Sequence, residues 1–156
     1  MILRKARMGD IEVIHALIND YAAKGHMLPR SRNTLYESLL EFTVACEDGG
    51  VVGCGSLHIL WETLAEVRSL AIAADYVGKG LGTQIVETLV DEAKCLEIPR
   101  VFALTYRPAF FERCGFRLAT KEDLPQKVWK ECINCPKFPN CDEIALLKDL
   151  HVSTAG

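Results

Sequence analysis

The sequence predicts an α/β fold in which helices flank a central mixed β-sheet. Short apolar runs alternate with stretches of helical periodicity, a hairpin signal joins two of the runs, and a glycine-rich turn leads from another run into a long helix. With 156 residues and neither a linker nor an internal repeat, the chain is long enough to bury a core of its own. We therefore expect a single domain over residues 1–156.

The first half of the chain supplies two helices and four strands. Asp10 is expected to cap the first helix, because it precedes apolar residues that recur at helical spacing up to Tyr21. A Glu-Asp-Gly-Gly turn between two apolar runs predicts a β-hairpin. The expected elements are a strand over 2–6, a helix with apolar positions from 11 to 21, a short helix over 33–40, and strands over 42–46, 51–60 and 65–73.

The second half continues this alternation. Pro99 marks the exit from the long helix, and Gly115 ends a short one. The expected elements are a helix over 81–96, a strand over 100–106, a short helix over 109–113, a strand that opens at 116–118 and a closing strand over 143–150. A loop rich in cysteine and proline, over 121–142, precedes the last strand.

The most informative motif is the turn before the long helix, which carries glycine at positions 78, 80 and 82. Glycine lets the backbone adopt positive φ and approach a ligand closely, and the helix start presents free N–H groups and the positive end of its dipole. The combination predicts a phosphate-binding turn, with an ordinary tight turn as the alternative. The spacing matches neither a P-loop nor a dinucleotide fingerprint.

Charge and hydropathy argue against other classes of function. A formal net charge of −3 disfavours a nucleic-acid surface, which requires a basic excess. No apolar run approaches the roughly 18 residues that span a bilayer. The charged start of the chain is unlike a signal peptide. We expect a cytoplasmic protein that binds a small-molecule substrate, without nucleic-acid or membrane partners.

Three segments together resemble the GNAT family of N-acetyltransferases, namely 65–72, 77–82 and 108–116. The family's turn reads Gln/Arg-x-x-Gly-x-Gly/Ala; this chain matches at the two glycines and departs at Val77. The resemblance implies a mostly antiparallel sheet and an enzyme that transfers acetyl from acetyl-CoA to an amine by direct attack in a ternary complex. It also implies that the strand before the turn offers free backbone groups to the cofactor. The implied cofactor-binding residues are Leu70, Ala71, Ile72, Val77, Gly78, Lys79, Gly80, Leu81, Gly82, Thr83 and Phe111.

The same resemblance implies two catalytic candidates. Glu66 occupies the strand position that carries the catalytic glutamate in the histone-acetylating branch of the family, and it can take the proton of the acceptor ammonium. Alternatively, it is a strand-end charge paired with a base such as Arg68. Many members carry a tyrosine where this chain has the pair Phe110-Phe111, and use it as the acid for the departing thiolate. Tyr106 either substitutes for that tyrosine or is a core residue, and a thiolate can also leave without an acid.

Several segments, among them 28–31 and 124–130, are more specifically similar to the short stand-alone N-acetylglutamate synthases of bacterial arginine biosynthesis. This implies L-glutamate as the acceptor, whose two carboxylates suit guanidinium groups. The candidate substrate-binding residues are Arg30, Arg68 and Arg107. His58 either touches the substrate or is structural. The rival interpretations are another acceptor, such as glutamine or a protein N-terminus, and a non-catalytic acetyl-CoA-binding module. Homodimers are common among relatives, so we expect a homodimer.

The seven cysteines fall into two groups. Four lie in apolar contexts and are expected to be small buried hydrophobic residues, namely Cys46, Cys54, Cys95 and Cys114. The other three are clustered at Cys132, Cys135 and Cys141, and the first gap between them fits a zinc knuckle. A structural metal, free thiols and a redox disulfide all stay open for this cluster, and no metal ligand is assigned.

Overall fold

The computed structural model describes residues 1–120, 123–124 and 143–151. The elements of these residues are β1 (Ile2–Lys5), α1 (Ile11–Ala23), α2 (Arg32–Glu37), β2 (Phe42–Glu47), β3 (Gly50–Trp61), β4 (Leu64–Ile72), α3 (Leu81–Cys95), β5 (Arg100–Thr105), α4 (Pro108–Arg113), β6 (Arg117–Ala119) and β7 (Ile144–Asp149). The predicted alternation of strands and helices is confirmed. No helix among the described residues combines the length and the apolar character of a membrane span.

The seven strands of the described residues form a mixed, mostly antiparallel sheet in the order β1-β2-β3-β4-β5-β7-β6. Antiparallel pairing joins β1 to β2, β2 to β3, and β7 to both β5 and β6. β4 and β5 run parallel, with Glu66 opposite Phe102. This parallel pair follows from the connection through α3, since a helical crossover returns the chain to the end where the first strand began. The predicted α/β class and mostly antiparallel sheet are confirmed.

The chain divides into two compact units. The first comprises Met1–His58 and Val67–Glu92, and the second comprises Ile59–Glu66 and Ala93–Gly156. The core of the first unit joins the isoleucines of α1, which recur at helical spacing, to Leu35 of α2, Phe42 and Val44 of β2, and Ala71 of β4. The expectation of one domain over the whole chain stays a prediction.

Close packing of α3 on β3 depends on two glycines of that strand. A Cβ on Gly55 would stand 2.8 Å from Cγ2 of Ile85, and one on Gly53 would stand 3.0 Å from Cδ1 of Ile72 and 3.2 Å from Cδ1 of Ile85. Atoms this close repel, so a larger residue would push the helix away from the strand. The glycines therefore fix the height of α3 above the sheet, and with it the position of the turn that precedes the helix.

The second unit has an apolar cluster of its own. Leu64, Phe102, Ala145 and Leu147 pack together with Leu124. Phe111 of α4 packs edge to face with two other rings, at ring-centre distances of 5.1 Å from Phe110 in the same helix and 5.3 Å from Phe116 after it.

The prediction that Asp10 caps α1 is wrong. Its carboxylate accepts hydrogen bonds of 2.7 and 3.0 Å from the Arg4 guanidinium and one of 2.7 Å from the Arg7 N–H. It therefore closes the 3₁₀ turn Met8–Asp10, and no side chain caps the first turn of α1. The nearby guanidinium keeps the pKa of the Asp10 carboxyl below its ordinary value.

Two further local predictions need correction. The second helix ends at Glu37 rather than at residue 40, because Ser38 leaves the helical conformation and a 3₁₀ turn, Leu39–Glu41, follows. Cys54 and Cys114 are buried as expected and Cys46 is half-buried, but Cys95 is exposed. It follows the buried Ala93 by two positions, which turns its side chain to the opposite, solvent-facing side of α3.

Candidate active site

The turn between β4 and α3 leaves an open backbone surface at the start of a long helix. Gly78 and Gly80 both have a φ of +81°, and no atom lies within 4 Å of the place where a Cβ would stand on either residue. The Gly80 carbonyl accepts a helical hydrogen bond from the N–H of Gln84 at 3.1 Å. The N–H groups before Gln84 therefore have no acceptor within the helix, which is the arrangement that binds phosphate at helix starts.

The predicted residues of this turn differ in what they can offer a ligand. Val77, Gly78, Lys79 and Gly80 are exposed, whereas Gly82 and Thr83 are half-buried in the first turn of α3. The Leu81 side chain is buried, so a ligand can reach only its backbone. The Lys79 ammonium lies 5.4 Å from the ring centre of Tyr76, which places a cation beside the turn.

The end of β4 is held by a side chain that the sequence did not indicate. The Tyr21 hydroxyl donates to the Ile72 carbonyl oxygen at 2.8 Å and lies 3.4 Å from the Ile72 nitrogen, which donates to it. The neighbouring Ala73 N–H bonds to Val52 of β3, so the groups of Ile72 point to the opposite edge of β4. The backbone of Ile72 is therefore bonded to Tyr21 rather than free. Of the other two predicted strand residues, Leu70 is half-buried and Ala71 is buried in the core.

Ser69 has a left-handed backbone in the middle of β4, with a φ of +55°. A non-glycine residue seldom adopts this conformation inside a strand, at a cost on the order of 1 kcal/mol. Two side chains of β3 bond to the backbone around it: the Cys54 thiol to the Ser69 carbonyl oxygen at 3.5 Å, and the Ser56 hydroxyl to that of Arg68 at 3.1 Å. In a regular strand Glu66, Arg68 and Leu70 would share one face, and the conformation of Ser69 interrupts that alternation.

Arg30 is the most completely positioned of the predicted arginines. Its backbone N–H and carbonyl are both bonded to the side-chain amide of Asn19, at 3.2 and 3.0 Å. Its guanidinium donates to the Ser38 hydroxyl at 2.9 Å and to the Ser69 hydroxyl at 3.4 Å, and it lies 5.8 Å from the centre of the Phe42 ring. These contacts fix both the backbone and the side chain of Arg30.

The charge of this half-buried guanidinium is not neutralised by a direct ion pair. Among the described residues, no carboxylate lies within ion-pair distance of Arg30. Burial lowers its pKa, the Glu41 carboxylate acts in the opposite direction, and Arg68 lowers it further. Arginine remains protonated under all such influences. The first unit thus presents a fixed, partly desolvated cation, and Arg68 also acts on its pKa.

The Glu41 carboxylate is bonded to another residue. Its Oε1 lies 2.8 Å from Nδ1 of His58, and both side chains are partly exposed. A carboxylate can only accept, so the imidazole donates from Nδ1. The sequence allowed His58 either a substrate contact or a structural role. In the structure it is bonded to Glu41, the carboxylate that influences the pKa of Arg30.

The remaining predicted residues belong to the second unit. Glu66 is 7% exposed, which is unusual for a carboxylate. Tyr106 is half-buried just after β5. Arg107 is exposed at the start of α4, where its N–H bonds to the Thr105 hydroxyl at 2.9 Å. Phe111 is buried in its aromatic cluster. The catalytic role of Glu66 and Tyr106 stays a prediction.

The three clustered cysteines at 132, 135 and 141 lie outside the described residues. Within the ranges that the structure covers, no three side chains of histidine, cysteine, aspartate or glutamate come together as metal ligands do. A structural metal therefore gains no support from the part of the chain that is described.

Comparison with known proteins identifies the family. Residues 12–116 match the Acetyltransferase (GNAT) family. The chain belongs to the GNAT acetyltransferases. This confirms the predicted resemblance, and it makes the glycine turn and the start of α3 part of an acetyl-CoA-dependent N-acetyltransferase.

Relatives of this acetyltransferase include proteins that act on amino acids. It is 39% identical over 148 residues to an uncharacterized N-acetyltransferase of Chlorobaculum tepidum, covering 95% of this chain and 96% of that protein. It is 42% identical over 118 residues to an amino-acid acetyltransferase of Mycobacterium tuberculosis, covering 74% and 67%. An amino-acid acetyltransferase of Neisseria meningitidis is 33% identical over 126 residues, but the chain spans only 29% of its length.

Solved structures of similar proteins contain coenzyme A. A Mycobacterium tuberculosis protein in complex with CoA and NLQ has a TM-score of 0.86 at 34% identity, over 97% of this acetyltransferase and 100% of that chain. N-acetylglutamate synthase from Neisseria gonorrhoeae, complexed with coenzyme A and N-acetyl-glutamate, has a TM-score of 0.88 at 29% identity, over 96% of this chain and 35% of that one. These similarities support acetyl-CoA as the acetyl donor.

Proposed function

We propose that this acetyltransferase transfers acetyl from acetyl-CoA to the α-amine of L-glutamate, the reaction of N-acetylglutamate synthase and the first step of arginine biosynthesis. The observation that carries the proposal is the Arg30 guanidinium, which is half-buried and fixed by two hydroxyl groups, with no carboxylate of the described residues in ion-pair contact. The name of the Neisseria gonorrhoeae synthase supports the same acceptor, and the names of the similar amino-acid acetyltransferases support an amino acid.

A substrate carboxylate is the natural partner for this arginine. A desolvated cation gains most from an anion that reaches it with good hydrogen-bond geometry, and the planar guanidinium can bind a carboxylate through two N–H groups. Arg68 adds a second positive charge within electrostatic range of Arg30. The fixed cation at Arg30 favours an acceptor that carries a carboxylate, such as a free amino acid, over a peptide N-terminus.

The glycine turn serves the other substrate. The free N–H groups at the start of α3 and the helix dipole favour the cofactor pyrophosphate, which can approach the open backbone at Gly78 and Gly80. Because these contacts come from the backbone, the departure from the family pattern at Val77 removes only a side-chain contact. Val77 itself is exposed on the turn.

In the proposed reaction, the acceptor amine attacks the thioester carbonyl directly. The amine must first lose a proton, and Glu66 is the proposed base, acting directly or through water. A backbone N–H of β4 stabilises the negative charge that develops on the carbonyl oxygen. The carbon–sulfur bond then breaks, and the CoA thiolate leaves with or without a proton from Tyr106. No covalent intermediate with the enzyme is required.

The acceptor proposal is tested by comparing two nearby arginines. Arg30→Gln is expected to raise the KM for L-glutamate about 10- to 100-fold, the loss of a charge-assisted pair, with the KM for acetyl-CoA within about twofold. Arg32→Gln is the matched control, because Arg32 is exposed and paired with Glu12 at 2.8 Å. Equal effects of the two substitutions on the KM for L-glutamate would count against a role of Arg30 in acceptor binding.

A further inference from the structure

The Arg30 guanidinium has a carboxylate of its own chain as a close neighbour. Arg30 bonds to Ser38 and lies over the ring of Phe42, so it contacts residues on both sides of Glu41 in the sequence. The Glu41 carboxylate acts to raise the pKa of Arg30 against the larger effect of burial, as a nearby opposite charge does. An acceptor carboxylate would therefore have an internal competitor within reach of the same cation.

This competitor is held elsewhere. Glu41 directs Oε1 to Nδ1 of His58 at 2.8 Å, and within the described residues it forms no ion pair with Arg30. Both the neutral Nδ1–H tautomer and the imidazolium can donate this hydrogen bond, so the hold on Glu41 does not require a particular charge on His58.

We propose that His58 is a positioning residue for the acceptor site: by binding Glu41, it keeps that carboxylate away from Arg30 and leaves the guanidinium to the substrate. The inference rests on the proposed function, in which Arg30 binds the acceptor carboxylate. It assigns His58 and Glu41 a role in the affinity for the amino acid, and none in the transfer step.

The physical basis is the high effective concentration of an internal group. Glu41 directly precedes Phe42, whose ring lies under the Arg30 guanidinium. Its carboxylate therefore competes with a substrate for Arg30 as if it were present at millimolar concentration or more. The attraction between opposite charges also strengthens as water is excluded from them. Without the imidazole, Glu41 would pair with Arg30, and the substrate would have to displace it. The loss of affinity would appear in the KM for the acceptor rather than in kcat.

A double-mutant cycle tests this role. His58→Ala is expected to raise the KM for L-glutamate about three- to tenfold, with kcat and the KM for acetyl-CoA within about twofold. In the His58→Ala/Glu41→Gln double variant, which lacks the competing charge, the KM should return to within about twofold of the wild type. Glu41→Gln alone should not raise the KM. His58→Asn, whose amide can donate from the place of Nδ1, should behave as the wild type.

A purely structural role for His58 predicts a different pattern. The double variant would then be at least as impaired as His58→Ala, since the imidazole is absent from both. That result, or an unchanged KM in His58→Ala, would overturn the inference. Thermal unfolding of each variant shows whether a change in KM accompanies a loss of the fold.

A second readout does not depend on turnover. The side-chain N–H resonances of Arg30, assigned by comparison with Arg30→Lys, should shift in His58→Ala as Glu41 pairs with the guanidinium, and should return in the double variant. If the wild type turns over no amino acid, the proposed function fails. The Arg30 resonances still test whether the hydrogen bond from His58 keeps Glu41 away from Arg30. If turnover of L-glutamate is normal but neither KM nor resonances change in His58→Ala, only the inference fails.

Discussion

The hydroxyl of Tyr21 on α1 and the backbone of Ile72 on β4 are joined by two hydrogen bonds, of 2.8 Å to the carbonyl oxygen and 3.4 Å from the nitrogen. One phenol oxygen thus satisfies both backbone groups of a residue at the end of the strand. It ties the last turns of α1 to the point where the chain leaves β4 for the glycine turn.

Removing this hydroxyl should destabilise the first unit. Tyr21→Phe is expected to lower the free energy of unfolding by about 1 kcal/mol, because it leaves the Ile72 groups without their partner while keeping the ring. Tyr36→Phe is the control, since Tyr36 is exposed. Urea unfolding measures both. A loss for Tyr21→Phe no greater than for Tyr36→Phe would show that the hydroxyl contributes nothing to stability.

The glycine turn can be tested with two glycines in the same backbone conformation. Gly80 and Gly25 have φ of +81° and +77°, and an added Cβ would meet no atom within 4 Å at either position. Alanine should therefore cost a similar 1 to 2 kcal/mol at both sites, through the left-handed backbone alone. Only Gly80→Ala should also raise the KM for acetyl-CoA, by about tenfold or more. Equal KM values in the two variants would argue against a cofactor site at the turn.

The proposed base is tested by a substitution that keeps its shape. Glu66→Gln is expected to lower kcat about 100-fold, in the range attributed to general bases, while the KM for acetyl-CoA changes by less than about twofold. Glu62→Gln, on the exposed turn between β3 and β4, is the control. Pre-steady-state measurement of thiol release reports the chemical step. A Glu66→Gln enzyme that retains half of the wild-type kcat does not use this carboxylate as a base.

Cys54 gives a prediction for the alkaline side of the pH range. Burial raises the pKa of its thiol from 9.0 to about 12. Below pH 9 the folded and unfolded chains both hold this proton; between pH 9 and 12 only the folded chain does. The free energy of unfolding therefore falls as the pH rises through this window, by up to about 1.4 kcal/mol per pH unit from Cys54.

Urea unfolding at pH 8, 9 and 10 checks this linkage. The free energy of unfolding of the wild type should fall more steeply above pH 9 than that of Cys54→Ala, which has no thiol at this site. Cys95→Ala should keep the wild-type slope, because Cys95 is exposed. Parallel curves for the wild type and Cys54→Ala would indicate that the thiol ionises equally in both states.

Local patterns predicted most of the fold. The isoleucines of α1 and the apolar residues of α3 recur at helical spacing in the sequence. In the structure the same residues are buried, because burial of one apolar face stabilises each helix. The glycine turn was also predictable, since positive φ at Gly78 and Gly80 is a property of a few adjacent residues.

Interactions between distant residues could not be predicted in this way. Tyr21 contacts Ile72 across 51 positions, and its periodic spacing on α1 indicated only an apolar face. The left-handed Ser69 is supported by side chains of β3, which no motif in β4 reveals. Arg30 was a candidate among several arginines, and only its contacts with Ser38 and Ser69 distinguish it from the exposed Arg32.

Steady-state release of the CoA thiol from acetyl-CoA, with the acetylated product identified by mass spectrometry, tests the acceptor most directly. We compare L-glutamate with L-glutamine and with a peptide that has a free N-terminus. Saturable turnover with L-glutamate is expected, at a kcat/KM above that of either alternative. Absence of turnover with L-glutamate at saturating acetyl-CoA, or a higher kcat/KM for the peptide or for L-glutamine, would contradict the proposed function.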